Sequence, residues 1–217
     1  MTRWRQRRRE LAPLALLLLM TTACTRVVDS PRALPQREVA PISAQQVSNL
    51  LSSKVTGVEG NQFDKVEPDR CTPVAREVSP PLLVDRHPAA IQSGHWQTDD
   101  GGVVVEEIVA VYPSDFDPSA ALSDARGAVE SCAGTTMTVT TVHGRSYDFD
   151  AQPAASSPAG AVLWSLRGAD WSCDNALVAA HNAAIEITTC GAGGGLDTAG
   201  LATEALARIE ALANAKV

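Results

Sequence analysis

The sequence predicts one α+β domain, a mostly antiparallel sheet with packed helices, stapled by two disulfides. Three observations point to it. Several strand-like runs follow one another late in the chain with only short turns between them, which favours antiparallel pairing. Helical patterns stand before, among and after the strands. Beyond an export-type leader four cysteines remain, Cys71, Cys132, Cys173 and Cys190, an even number that suits an oxidising compartment.

The leader sets the address. Arg3, Arg5, Arg7, Arg8 and Arg9 precede the apolar run from Leu11 to Met20, the layout of an export signal. A helix needs roughly 20 apolar residues to span a bilayer, so this run is too short to remain as an anchor. Thr21-Thr22-Ala23-Cys24 resembles a bacterial lipobox. That resemblance implies cleavage before Cys24 and diacylglycerol attachment to its sulfur, the thiolate being the nucleophile such a transfer needs. Thr21 stands where leucine is commonest, which keeps a plain secretory signal as the alternative. Arg8-Arg9 leaves Sec and twin-arginine export both open. Residues 1–23 therefore read as a lipoprotein signal peptide and 24–41 as a lipidated tether with Pro31, Pro35 and Pro41 and no apolar period. Residues 42–217 are left as the domain, held by lipid on the extracytoplasmic face of the cell membrane.

Without the leader the charge balance shifts. The first 23 residues hold five of the 18 basic and one of the 25 acidic residues, leaving 13 and 24 and a net charge of −11. That excludes nucleic acid as a partner and adhesion to anionic lipid through a basic patch.

The elements follow in order. Ser43 with Gln46 three residues on starts a short amphipathic helix carrying Val47, Leu50 and Leu51. Residues 60–90, rich in proline and charge, read as irregular structure pinned by Cys71. The turn "DDGG" leads into the β-prone run "VVVEEIVAVY". Asp117-Pro118 opens a helix with Leu122, Ala125 and Val129 on one face, ending at Cys132 before Gly134. "TMTVTTV", "SYDFD" and "AVLWSLRG" are strands, with "AQPAASSPAG" a loop. A last helix starts near Thr198, with Leu201, Leu206, Ile209 and Leu212 as its stripe.

One hairpin can be registered from sequence alone. In "SCDNALVAAHNAAIEITTCG" a two-residue turn at His181-Asn182 sets Ala180 against Ala183, and the same register sets Cys173 directly against Cys190. Their sulfurs then lie at disulfide distance, which leaves Cys71 to pair with Cys132. The register also puts Ala176, Val178, Ile185 and Ile187 on one face and Asn175, Glu186 and Thr188 on the other, as expected of a half-buried hairpin.

The sequence offers few groups for chemistry. Asp148 and Asp150 point the same way from a strand and could bind a cation or act as an acid/base pair, but read as a solvated face. Glu106 and Glu107 are adjacent, so they point to opposite faces and form no dyad. Glu107 shares its face with Val103, Val105, Val109 and Val111; burial would raise its pKa unless it found a partner such as an arginine. His87, His95, His143 and His181 sit in expected loops or turns without metal-site spacing, and no nucleophile elbow occurs. "GAGGGLDT" lies where a dinucleotide loop would, but Leu196 replaces the third fingerprint glycine and no P-loop lysine follows. It reads as a flexible connector. No catalytic residue, metal ligand or cofactor is expected.

With Cys71, "VEEIVAVYPS", the helix ending in "VESCAG", the "WSCDNALVAAHNAAIEITTCG" hairpin and the closing helix in place, the chain from about Ile42 to Lys216 resembles the PknH-like extracellular domain family. That is the sensor domain of a mycobacterial receptor serine/threonine kinase, found also as free-standing lipoproteins. The resemblance implies one α+β domain with two disulfides and a cleft for an unidentified ligand. Family members tend to carry glutamine near Glu107 and a tryptophan shortly before the second cysteine, where this chain has Val129-Glu130-Ser131. The expected function is a non-enzymatic envelope lipoprotein binding a small-molecule or lipid ligand, with Trp96, Glu107, Tyr112 and Trp164 as candidate cleft walls. The alternatives are a protein-interaction module for a kinase ectodomain or another envelope protein, and an envelope hydrolase using Glu107 or the Asp148/Asp150 pair.

Overall fold

A computed structural model describes residues 42–57 and 60–215. The expected signal peptide, Cys24 and the expected tether lie outside the described residues. Among those described, no helix is long and apolar enough to cross a membrane.

Eight strands form one antiparallel sheet: β1 (Phe63–Glu67), β2 (Ala90–Gln97), β3 (Val103–Val111), β4 (Thr136–Thr141), β5 (Ser146–Pro153), β6 (Ala161–Arg167), β7 (Ser172–Ala180) and β8 (Ala183–Gly191). Their spatial order is β1-β4-β5-β6-β7-β8-β3-β2. The strands β4 to β8 run as a meander, each following the last through two to seven connecting residues. β3 closes onto β8 over nine residue pairs, from Val103 opposite Gly191 to Val111 opposite Ala183. Helices α1 (Thr72–Ala75), α2 (Pro81–Val84), α3 (Pro118–Cys132) and α4 (Thr198–Ala213) complete the domain, with a 3-10 helix at Ala44–Leu50 and a shorter one at Asp69–Cys71.

Both faces of the sheet are covered. α1, α2 and α3 pack on one, over Phe149, Met137, Leu166 and Leu177. α4 and the 3-10 helix pack on the other, over Val105, Val109, Val178, Ile185 and Ile187. Each such fully buried aliphatic chain contributes about 1.5–3 kcal/mol relative to exposure.

The hairpin register is the one read from sequence: Ala180 opposes Ala183 and Cys173 opposes Cys190. The sulfurs of Cys173 and Cys190 are bonded, as are those of Cys71 and Cys132. The turn places His181 at φ 51°, and Asn182 is tied inward. Its amide nitrogen donates to the carbonyls of Ile42 and Tyr112, both at 2.8 Å, and its oxygen accepts from the Ile42 amide at 2.8 Å.

Several expectations change. The hairpin is not half-buried: every residue of β8 is buried, because helices cover both faces. The first helix is 3-10 in form, although Gln46 does reach back to the Ser43 amide at 3.0 Å. The stretch 60–90 contains β1, α1 and α2 and the start of β2. His95 lies in β2 and not in a loop. The glycine-rich connector is pinned: the Gly195 amide donates to the Asp174 carboxylate at 3.0 Å and the Leu196 amide to the Thr189 hydroxyl at 3.1 Å. A Cβ on Gly195 would lie 1.8 Å from that hydroxyl. On α4 the buried stripe is Leu201, Ala202, Ala205, Ile209 and Ala213, with Leu206 and Leu212 at its margin.

Candidate functional site

On the face that carries the Cys173–Cys190 bond, polar side chains interrupt the apolar core. Alternation along β3 and β8 brings Glu106 and Thr188 side by side, since their Cα atoms are partners. Asn175 of β7 continues the row on one side and His95 of β2 on the other. One step along β8 lies Glu186. A further carboxylate arrives from the chain after α1. Glu77 donates its amide to the Phe63 carbonyl at 2.8 Å and accepts the Phe63 amide on Oε2 at 2.7 Å, docking against the edge of β1.

Glu77, Glu106 and Glu186 are 5 %, 7 % and 3 % exposed, and no basic side chain pairs with any of them among the described residues. Burial therefore dominates their protonation. It pushes Glu77 up to about 7, against the Phe63 amide and the Thr188 hydroxyl, which favour the charged form. Burial and then the charge of Glu77 push Glu106 up to about 8. The same two causes, in the same order, hold Glu186 well above the usual carboxylate range. Glu186 Oε2 and Asn175 Nδ2 are buried without a hydrogen-bond partner among the described residues.

Glu77 and Glu106 line a cavity of about 90 Å³ that opens to solvent, together with Asn61, Thr141 and Thr188. Aromatic rings form its other wall. Phe63 meets Tyr147 edge-on at 6.2 Å between centroids, and Tyr147 stacks on Trp171 at 6.5 Å. Gly60 lies over Glu106, where a Cβ would come within 1.6 Å of the carboxylate. A larger groove of about 390 Å³ runs between α3 and the loop from Pro153 to Leu163, but small loop residues line it and only Arg126 and Glu130 bring charge. Buried polar groups converge only in the first cavity of these two.

The residues expected to wall a cleft do not come together there. Glu107 is on the opposite face, accepting Arg208 Nη2 and the Ser52 amide at 2.9 Å each. Trp96 belongs to the core on the face that α4 and the 3-10 helix cover. Tyr112 is buried with its hydroxyl donating to the Leu83 carbonyl at 3.1 Å, and Trp164 with its indole donating to the Val74 carbonyl at 2.8 Å. Asp148 and Asp150 take hydroxyl hydrogens from Thr138 and Thr136 on an exposed face. No group of three or more metal-ligating side chains occurs among the described residues. Nothing local in the sequence marks Glu77 or Glu186 as buried: alternation puts Glu186 on the disulfide face, and only the helices packed there exclude water from it.

A sequence model of the PknH-like extracellular domain matches residues 30–208. The chain belongs to that family. No match was found among the curated proteins. Among solved structures, the crystal structure of the extracellular domain of PknH from Mycobacterium tuberculosis matches with a TM-score of 0.60 at 20 % identity, over 79 % of this chain and 98 % of that one. At that identity the likeness concerns the fold. The PknH-like domain described here is thus an extracytoplasmic, sensor-like domain with two disulfides.

Proposed function

We propose that this PknH-like domain is a lipid-anchored, non-enzymatic envelope protein that binds a small ligand in the cavity between Glu106 of β3 and the Phe63–Tyr147–Trp171 wall. The observation that carries the reading is the convergence of buried polar groups and aromatic rings on one solvent-reaching cavity, the usual make-up of a ligand site. Binding is favoured over hydrolysis because Glu107 is engaged by Arg208, while Asp148 and Asp150 are engaged by threonines. A protein-interaction module has less support, since the exposed large apolar side chains among the described residues are Ile91 and Val142 alone, too few for a docking patch. The lipid anchor rests on Cys24 in its lipobox-like setting.

Native mass spectrometry of the chain purified from its own envelope tests the reading. A reproducible added mass, lost on denaturation and lost when Trp171 is replaced by alanine, is expected. A bare protein, or an adduct indifferent to Trp171→Ala, overturns it. Mass analysis of the same preparation reads the anchor directly, as diacylglycerol on Cys24 or an unmodified thiol.

A further inference from the structure

We infer that the cavity recognises a primary ammonium group, seated between the Glu77 and Glu106 carboxylates and against the Tyr147 and Trp171 rings. The inference rests on the ligand-binding reading above and names the chemistry of its ligand.

Glu106 carries the argument. It is only 7 % exposed, it lines the cavity, and no hydrogen bond or ion pair reaches its carboxylate among the described residues. An ionised carboxylate in such a place lacks the donors that would normally accompany it. Glu77 faces the same space and, among the described residues, has only the Phe63 amide and the Thr188 hydroxyl as donors. The site is rich in acceptors and short of positive charge, so the group that completes it is a cation with several N–H bonds.

The rest of the wall agrees. Aromatic faces attract ammonium groups through their quadrupoles, and Arg145 already lies 4.9 Å from the Tyr147 centroid. The other titratable neighbours are Glu186 on β8, whose burial favours its neutral form, and His95 on β2, the Cα partner of Glu106. A cavity of about 90 Å³ is small beside the roughly 300–1,000 Å³ of ordinary ligand pockets, which suits an ammonium with a few methylenes and not a whole metabolite. The remainder of the ligand would extend into solvent. A divalent metal fits less well, because no cluster of three ligating side chains is present among the described residues.

The test is an NMR titration of the full chain, both disulfides closed, with n-propylamine and with its neutral counterpart n-propanol. Saturable shifts of the Trp171 indole and the Tyr147 ring with the amine alone are expected, weakened about tenfold or more in Glu106→Gln. The amine should bind more tightly as pH rises from about 6 to 8, with proton release seen as a buffer-dependent heat. Near-ultraviolet circular dichroism checks that the variant is folded, and Glu77→Gln provides an independent second loss. An equal response to n-propanol, no saturable response to the amine, or an undiminished response in both variants overturns the inference. A free amine and a lipid headgroup share this chemistry; vesicles with and without phosphatidylethanolamine separate the two sources. If the envelope-purified chain carries a Trp171-dependent ligand that has no amine, the ammonium inference fails while the binding cavity stands. If it carries none, both fail.

Discussion

Arg208 of α4 donates to the Glu107 carboxylate of β3 at 2.9 Å, and its Nε donates to the Leu50 carbonyl at 2.8 Å. One guanidinium thereby joins the last helix, strand β3 and the end of the first 3-10 helix. Glu107 is 1 % exposed, so loss of Arg208 would leave a buried charge supported only by the Ser52 amide. Arg208→Met is expected to cost about 3 kcal/mol or more in urea unfolding, within the range for breaking a buried pair. Adding Glu107→Gln should restore part of that loss. A double variant no more stable than the single one would show that the damage lies in packing of α4 and not in the orphaned charge.

Asn182 does for the hairpin turn what Arg208 does for the helices. Its side chain satisfies the Ile42 amide and the carbonyls of Ile42 and Tyr112. A buried backbone group stripped of its partner costs about 1–3 kcal/mol. Asn182→Ala is expected to destabilise the domain by roughly 3 kcal/mol and to speed amide exchange at Ile42 well beyond exchange in β8. Equal acceleration at both places would mean global unfolding and would remove the claim that Asn182 pins the entry segment.

These contacts show what could and could not be read from residues. The β7–β8 register was legible because a two-residue turn fixes every opposed pair, and Asp117 was legible as a cap: its side chain accepts the amides of Ser119 and Ala120. β2 was not legible. Its segment "AIQSGHWQ" has little β-branched character, and it pairs with β3 while the 55–57 segment contacts its outer edge, the Thr56 and Gly57 amides donating to the His95 carbonyl. β1 pairs with β4, far along the chain, so no local pattern announced it. The site was missed for a related reason. Opposite-face logic separates Glu106 from Glu107 correctly, but alternation among valines marks only Glu107 as buried and says nothing of the helices that cover the Glu106 face. With helices on both faces, Glu107 found an arginine and Glu106 did not.

The two disulfides should differ in weight. Cys71–Cys132 spans 61 residues and joins the segment before α1 to the end of α3, whereas Cys173–Cys190 spans 17 within a hairpin already held by a full ladder. On loop-closure entropy alone the first is worth about 4 kcal/mol and the second about 3. Cys71→Ala/Cys132→Ala is therefore expected to lower stability more than Cys173→Ala/Cys190→Ala, as measured by urea unfolding of each. The reverse order would point to a role for Cys190 in shaping the cavity it lines.

The buried carboxylates make a signed prediction about pH. Glu77 at about 7 and Glu106 at about 8 hold protons in the folded state over a range where the unfolded chain, at 4.5, has released them. Stability falls with pH wherever the folded state binds more protons. The contribution of these two groups is therefore fully present below about pH 4.5 and is lost as pH rises through about 7 and 8. Every tenfold difference in proton affinity between folded and unfolded chain is worth about 1.4 kcal/mol, so the decline should amount to roughly a few kcal/mol across the window. Glutamine keeps the shape of the side chain but has no proton to lose. The difference in unfolding free energy between Glu77→Gln/Glu106→Gln and the native chain should accordingly move in favour of the variant as pH rises from about 5 to about 8.5. A difference that stays flat over that interval would mean that the two carboxylates are hydrated or paired in solution, and the shortage of positive charge in the cavity would no longer distinguish this site.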